Sequence, residues 1–359
     1  MKKGKLVGLI LVLAVIVIAV AYVFFKDSQP QQAEISGLLG GEKIGLFESE
    51  GFQKDMKRRF ALRLNYRKAG SFAMVEETAK NKNQAAYDYL FPASQLAAEY
   101  YQKLGGSSRQ TDIIFNSPIV LYSRKPVVDA LKQKGIVSEK ETILFVNMEK
   151  LAKLIASGTS WSDLGLPQLY GNIFVDTTDP NASNSGNVFL GLLANALNGN
   201  KVVAREDLSK LLPDLKAIYR QIGNMQTSSA DMFSQFLKLG MGSYPIIAGY
   251  ENQILELSKT DPQIFEQIKD EVLILYPEPT VWSSHVYIAL SENGQRGLEA
   301  LKDPEVQKMA WKNHGFRTIV SGTADPKEFD VKGLPETIDR VMPMPDINVM
   351  LELMKAIDQ

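Results

Sequence analysis

The chain has no cysteine, which excludes thiolate catalysis, Cys-ligated zinc and an N-terminal lipidated cysteine. With two histidines, His285 and His314, histidine-rich metal sites are excluded as well. A net charge of −1, from 40 Lys and Arg against 41 Asp and Glu, leaves no strongly basic surface for a nucleic acid. Also missing are a Gly-x-Ser-x-Gly elbow, a His-Glu-x-x-His helix, a phosphate-cradling Gly-x-x-x-x-Gly-Lys loop and a Gly-x-Gly-x-x-Gly turn. No enzyme activity, cofactor or metal site is therefore expected. No internal repeat or low-complexity segment is visible.

What is present begins with length. At 359 residues with 45% apolar composition, the chain can bury a large core, and the length suggests two lobes. Lys2, Lys3 and Lys5 precede Leu6 to Phe25, an uncharged apolar run long enough to cross the ~30 Å hydrocarbon core as a helix. Lysines on its amino side favour a cytoplasmic N-terminus, which would place everything after Lys26 outside. Ala19-Val20-Ala21 also fits a cleaved signal peptide, although the run continues apolar through Phe25. Either way the folded part is expected to be extracytoplasmic.

Residues 27–41, with Gln29-Pro30-Gln31-Gln32 and Gly40-Gly41, read as a tether. From Lys43 short apolar runs alternate with amphipathic stretches, the pattern of an α/β fold. Strands are expected at Ile44 to Phe47, Arg63 to Tyr66, Tyr87 to Phe91 and Ile113 to Tyr122. Helices are expected at Phe52 to Phe60, from Ser94, and over 125–134, 148–156, 188–197 and 208–221. Trp161 and Trp311 sit in apolar patterns and read as core, and Trp282 lies nearer a cleft.

Trp161-Ser162-Asp163-Leu164, the run Gly171 to Asp176, the Asp179-Pro180 turn and Ser183-Asn184-Ser185-Gly186-Asn187 at a helix start form the most informative stretch. Hydroxyls and free N–H groups at a helix N-terminus can hold a small polar or anionic ligand without a charged side chain. This stretch resembles the second lobe of type II periplasmic solute-binding proteins, the receptors of ABC importers. A second match runs from Leu301-Lys302-Asp303-Pro304-Glu305 to Gly315-Phe316, which resembles the family's late helix, with Arg317 where proline is frequent. Asp303 should cap that helix, Pro304 fits its first turn, and Gly315 can end it.

The resemblance implies two α/β lobes joined by two crossing strands with the ligand between them. Ile113 to Ser123 would cross outward and Thr280 to Leu290 would return. Lobe I would then comprise 42–116 and 285–359, and lobe II 117–284, preceded by an anchor over 1–26. In this arrangement Ser49, Ser94, Asn116, Ser183, Asn184, Ser185, Gly186, Asn187, Tyr250 and Glu251 are candidate ligand contacts. Each has a structural alternative: Ser49 and Ser94 as caps, Asn116 in a chain-reorienting turn, Ser183 to Asn187 satisfying their own backbone, and Glu251 favouring a helix dipole. His285 reads as a structural histidine. The expected function is capture of a small polar solute, with an oxyanion among the candidates, for an ABC permease. The alternative is a membrane-tethered sensor or scaffold acting through a partner.

Overall fold

The computed structural model describes residues 32–80, 86–319 and 324–358. The Leu6 to Phe25 segment lies outside them, and among the described residues no helix is long and apolar enough to cross a membrane. The chain opens on β1 (Ala33–Leu39), short α1 (Ile44–Glu48), α2 (Glu50–Arg59), β2 (Leu62–Lys68) and α3 (Ser71–Lys80). Then come β3 (Tyr89–Phe91), α4 (Gln95–Lys103), β4 (Gln110–Arg124), α5 (Lys125–Gln133), β5 (Val137–Lys140), β6 (Ile143–Asn147) and α6 (Met148–Ala156). The middle adds α7 (Asn184–Leu197), α8 (Leu208–Ile222), α9 (Ser229–Leu239), β7 (Ile246–Tyr250), α10 (Glu251–Thr260), α11 (Pro262–Ile268) and β8 (Val272–Glu278). The last part holds β9 (Trp282–Ala289), α12 (Glu292–Leu301), α13 (Pro304–His314), β10 (Arg317–Thr318) and α14 (Ile347–Ile357).

Two corrections to the sequence reading fall at the start. Residues 33–39 are not tether: β1 pairs in parallel with both β2 and β3 and buries Ile35, Leu38 and Leu39. Its first part alternates, with Glu34 and Ser36 exposed and Ile35 buried, but Glu34, Ser36 and Gly37 leave too little apolar sequence to stand out from a linker. Ile44 to Phe47, expected as a strand, is instead helical α1. That shift of one element moves the first cleft-facing turn from Ser49 back to Gly40 and Gly41.

The strand order is β2-β1-β3-β9-β4-β8-β6-β5, with β7 and β10 also on β4. The 15 residues of β4 serve two sheets. Its first part, Gln110 to Pro118, pairs antiparallel with β9 in lobe I, whereas Ile119 to Arg124 pairs with β7 and β8 in lobe II. The chain leaves lobe I inside β4 and returns between β8 and β9. It then crosses again. Phe329 packs edge-on against Trp311 at 5.1 Å in the lobe II core. The amide of Thr280 donates to Arg340 O, that of Met342 to Thr280 O, and α14 packs on α7, α8 and α4. The C-terminal residues are thus shared between lobes instead of staying with lobe I.

The late helix follows its sequence signals. Asp303 accepts from the amides of Glu305 and Val306, Pro304 opens α13, and Gly315 ends it at φ 68°. Arg317, where the resembling family often has proline, donates from Nε and Nη2 to Glu251 at 2.6 and 2.8 Å, and Tyr276 donates to the same carboxylate at 2.7 Å. Further guanidinium bonds reach the carbonyls of Pro335 and Glu336. Glu251 is fully buried, so removing its partner would leave a desolvated charge. Arg317→Ala is expected to lower unfolding free energy by about 3–5 kcal/mol. The paired change Glu251→Gln with Arg317→Met should recover most of that loss, as followed by guanidinium denaturation. Equal losses in the single and paired variants would show that the ion pair is not the source.

Candidate functional site

In lobe I the C-terminal ends of β1, β2 and β3 lead into Gly40-Gly41, Gly70-Ser71 and Ala93-Ser94, all on the edge that faces lobe II. Here the lobes touch closely: a Cβ on Gly70 would come within 2.2 Å of the Ala182 carbonyl oxygen, so only glycine permits the approach. Beside it lies a cavity of about 50 Å³ lined by Gly40, Gly41, Glu42, Lys68, Gly70 and Ser71 from lobe I, with Ser183, Asn184, Thr227, Ser228 and Ser229 from lobe II. At the ~10–15 Å³ a water-sized group requires, this holds about four such groups.

Three helices start at this cavity: α3 at Ser71, α7 at Asn184 after Ser183, and α9 at Ser229 after Ser228. Their free N–H groups and the positive ends of their dipoles favour an anion. Lys68 adds a cation at the rim and donates to Ser228 across the cleft at 3.2 Å. The wall is thus built of hydroxyls, amides, one ammonium and the Glu42 carboxylate, whose charge Lys43 offsets. Among the described residues, no group of three or more His, Cys, Asp or Glu is placed to hold a metal ion.

Deeper in lies a buried charge network. Lys43, fully buried, donates to the carboxylate of its neighbour Glu42, lies 3.2 Å from His285 Nδ1, and sits 4.7 Å from the centre of the Phe91 ring. His285 Nε2 is 3.3 Å from Ser117 Oγ. Burial would raise the Glu42 carboxyl, but Lys43 and His285 outweigh it and hold it far below its ordinary value. Burial and the Lys43 charge push His285 down to about 4, so it is a neutral imidazole at pH 7. Burial, then the Glu42 charge, raises Tyr250, which stays a phenol.

The sequence candidates divide by position. Ser183 and Asn184 line the small cavity. Asn184 Nδ2 also lies 2.8 Å from Ala93 O, 2.9 Å from Tyr250 OH and 3.2 Å from Ser283 Oγ, which ties α7 to lobe I. Ser94 caps α4 without a side-chain hydrogen bond and lines a second, larger cavity. The others make structural contacts away from the small cavity. Ser49 donates to Leu46 O, Asn116 accepts from Ser284, Ser185 bonds Thr178 at 2.7 Å, Asn187 contacts Met354, and Glu251 holds Arg317. Gly186 is required by packing, because a Cβ there would meet the Thr178 carbonyl oxygen at 2.0 Å. Sequence reasoning missed Gly40, Gly41, Lys68, Ser71 and Ser228. The paired glycines after Leu38-Leu39 were the available signal, hidden by reading that segment as tether.

No family model matches the sequence, and no curated protein does. Solved structures do match. Iron-bound HitA from Pseudomonas aeruginosa aligns at TM-score 0.60 with 13% identity, covering 92% of this chain and 100% of that one. The substrate-binding protein of an ABC transporter from Agrobacterium tumefaciens gives 0.57 and 12%, covering 92% and 96%. The sulfate-binding protein SubI from Mycobacterium tuberculosis gives 0.52 and 14%, covering 84% and 93%. The chain has the type II periplasmic solute-binding fold. Within that fold the small cavity lies in the cleft between the lobes, whereas the buried Glu42–Lys43–His285 network fills the space behind it with the chain's own groups. Identities this low carry the fold and no ligand.

Asp176, which precedes the buried Thr177-Thr178 turn under α7, is buried with one carboxylate oxygen unpartnered, and burial pushes it from 3.8 up to about 7. A folded value above the unfolded one means that its stabilising contribution is fully present below about pH 4 and is lost as pH rises through about 7. Asp176→Asn is expected to be more stable than the native chain at about pH 8 by roughly 4 kcal/mol, from about three units at 1.36 kcal/mol each. At about pH 4 the difference should vanish. Denaturant midpoints at the two pH values decide, and a gap independent of pH would sink this account.

Proposed function

We propose that this protein is an extracytoplasmic, membrane-tethered solute-binding protein that captures a small oxyanion in the cleft cavity and presents it to an ABC-type permease. The observation that carries the reading is the convergence of three helix N-termini and Lys68 on a space of about 50 Å³. A tetrahedral oxyanion offers four acceptor oxygens to that donor set, and a desolvated anion is held well by fixed amide dipoles. SubI, a sulfate-binding protein of the same fold, is consistent with such a ligand. The tether is proposed from Leu6 to Phe25 and its flanking lysines. The reading assigns binding and release, with no chemical conversion.

One observation favours the second reading, a tethered sensor or scaffold. Asn184 to Ala93 and Lys68 to Ser228 are hydrogen bonds between the lobes made by the chain itself, so part of the closure is supplied without a solute. A scaffold would keep this shape throughout. A receptor would open and close by hinge motion.

Titration calorimetry of the purified chain with sulfate and with phosphate tests the oxyanion site. Binding of at least one is expected, and Lys68→Ala should weaken it several-fold to about tenfold, less than a buried ion pair would because the ammonium is exposed. The radius of gyration should fall when the bound anion is added. Absence of heat with both anions, or an unaltered affinity in Lys68→Ala, would remove the oxyanion site. An unchanging shape would favour the scaffold.

Topology is tested separately. An epitope at the C-terminus should be cleaved by protease added to intact cells stripped of any outer layer, while the chain remains in the membrane fraction. Protection of the epitope would reverse the proposed orientation, and a chain released in full would remove the anchor.

A further inference from the structure

The cleft has a second chamber. Asn184 and Ser283 both donate to the Ala93 carbonyl, at 2.8 and 2.6 Å, and the residues just beyond Ala93 and Ser283 line a separate cavity of about 490 Å³. That is the size of small-molecule sites, commonly 300–1,000 Å³. We propose that this larger cavity is a binding site for a small zwitterion that carries an apolar group.

Its two polar ends are of opposite kinds. At one, Ser94 is only 6% exposed and its hydroxyl has no hydrogen-bond partner among the described residues, although it stands at the N-cap of α4, whose first turn has no side-chain cap. Unmet N–H donors and a free hydroxyl at a helix start are complementary to a carboxylate. At the other, Glu99 is exposed at the mouth, held by the Gln95 amide at 3.3 Å, and complementary to an ammonium. Five residues of helix separate Ser94 from Glu99, a rise on the order of 7 Å. Both residues border the same cavity. The rest of the wall is mainly apolar, with Val188 from α7, the half-buried Trp282 indole from β9, and Met342 and Met344 from the C-terminal crossing, broken by Gln95 and Ser284. A simple anion would be opposed by Glu99, and a simple cation would leave the Ser94 end unmet. A zwitterion satisfies both. Such a ligand would touch lobe I, lobe II and the C-terminal crossing at once, which the small cavity does not allow.

The test uses the full chain and l-leucine as probe in titration calorimetry. Millimolar or tighter binding is expected, with 4-methylpentanoate and 3-methylbutylamine, each lacking one pole, at least about tenfold weaker. Glu99→Gln should weaken leucine binding about tenfold and Ser94→Ala several-fold, with thermal midpoints near the native one. Lys68→Ala, on the other cavity, should leave leucine affinity unchanged, so failure of the oxyanion reading does not touch this result. Absence of binding at about 10 mM, equal affinity for 4-methylpentanoate, native affinity in Glu99→Gln, or loss of leucine binding in Lys68→Ala would each overturn the proposal.

Discussion

A strand hydrogen-bonded along its whole length can belong to one sheet or be divided between two, and β4 is divided. Its first part carries β9 and β10, and its remainder carries β7 and β8. Because the division falls at Pro118 and Ile119, the pairing changes partners where the lobes meet, and every turn that faces the cleft takes its position from that point. The ends of β1, β2 and β3 face the starts of α7 and α9 because both sheets are anchored to the same strand. The Glu251–Arg317 pair then ties the start of α10 to β10 on the other side.

The electrostatics of the cleft follow from burial. A carboxylate, an ammonium and an imidazole lie together in its wall, and mutual neutralisation is what makes their desolvation tolerable. With Glu42 matched by Lys43, the net field at the small cavity comes from helix ends and from Lys68. The two histidines illustrate how context decides role. His285 is neutral inside the network, whereas His314 lies 2.7 Å from Glu256 at the end of α13.

Long amphipathic helices and strong caps were legible in the sequence. Met148 to Ala156 matches α6, and Asp303, Pro304 and Gly315 bound α13 as their chemistry implies. The strand β1 was not legible, since Glu34, Ser36 and Gly37 leave only Ala33 and Ile35 apolar ahead of Leu38 and its neighbours Gln31, Gln32, Gly40 and Gly41 resemble linker. Missing it displaced the first cleft turn by one element, which is why Ser49 was considered and Gly40-Gly41 was not. The α7 start was found because serine, asparagine and glycine before an apolar run are local signals. Lys68 and Ser228 meet only through the fold, across 160 residues of sequence, and no local pattern records that. The return of the C-terminal residues to lobe II was equally hidden, since Phe329 finds Trp311 only in three dimensions.

Much of the small cavity's wall is peptide groups at helix starts, and peptide groups neither gain nor lose charge over ordinary pH. Their contribution to the local potential is therefore constant in acid and in alkali, unlike that of a site built from histidine or carboxylates. If the proposed oxyanion is held there, any change in its affinity with acidity would arise chiefly in the ion's own protonation, with the helix ends as a fixed reference.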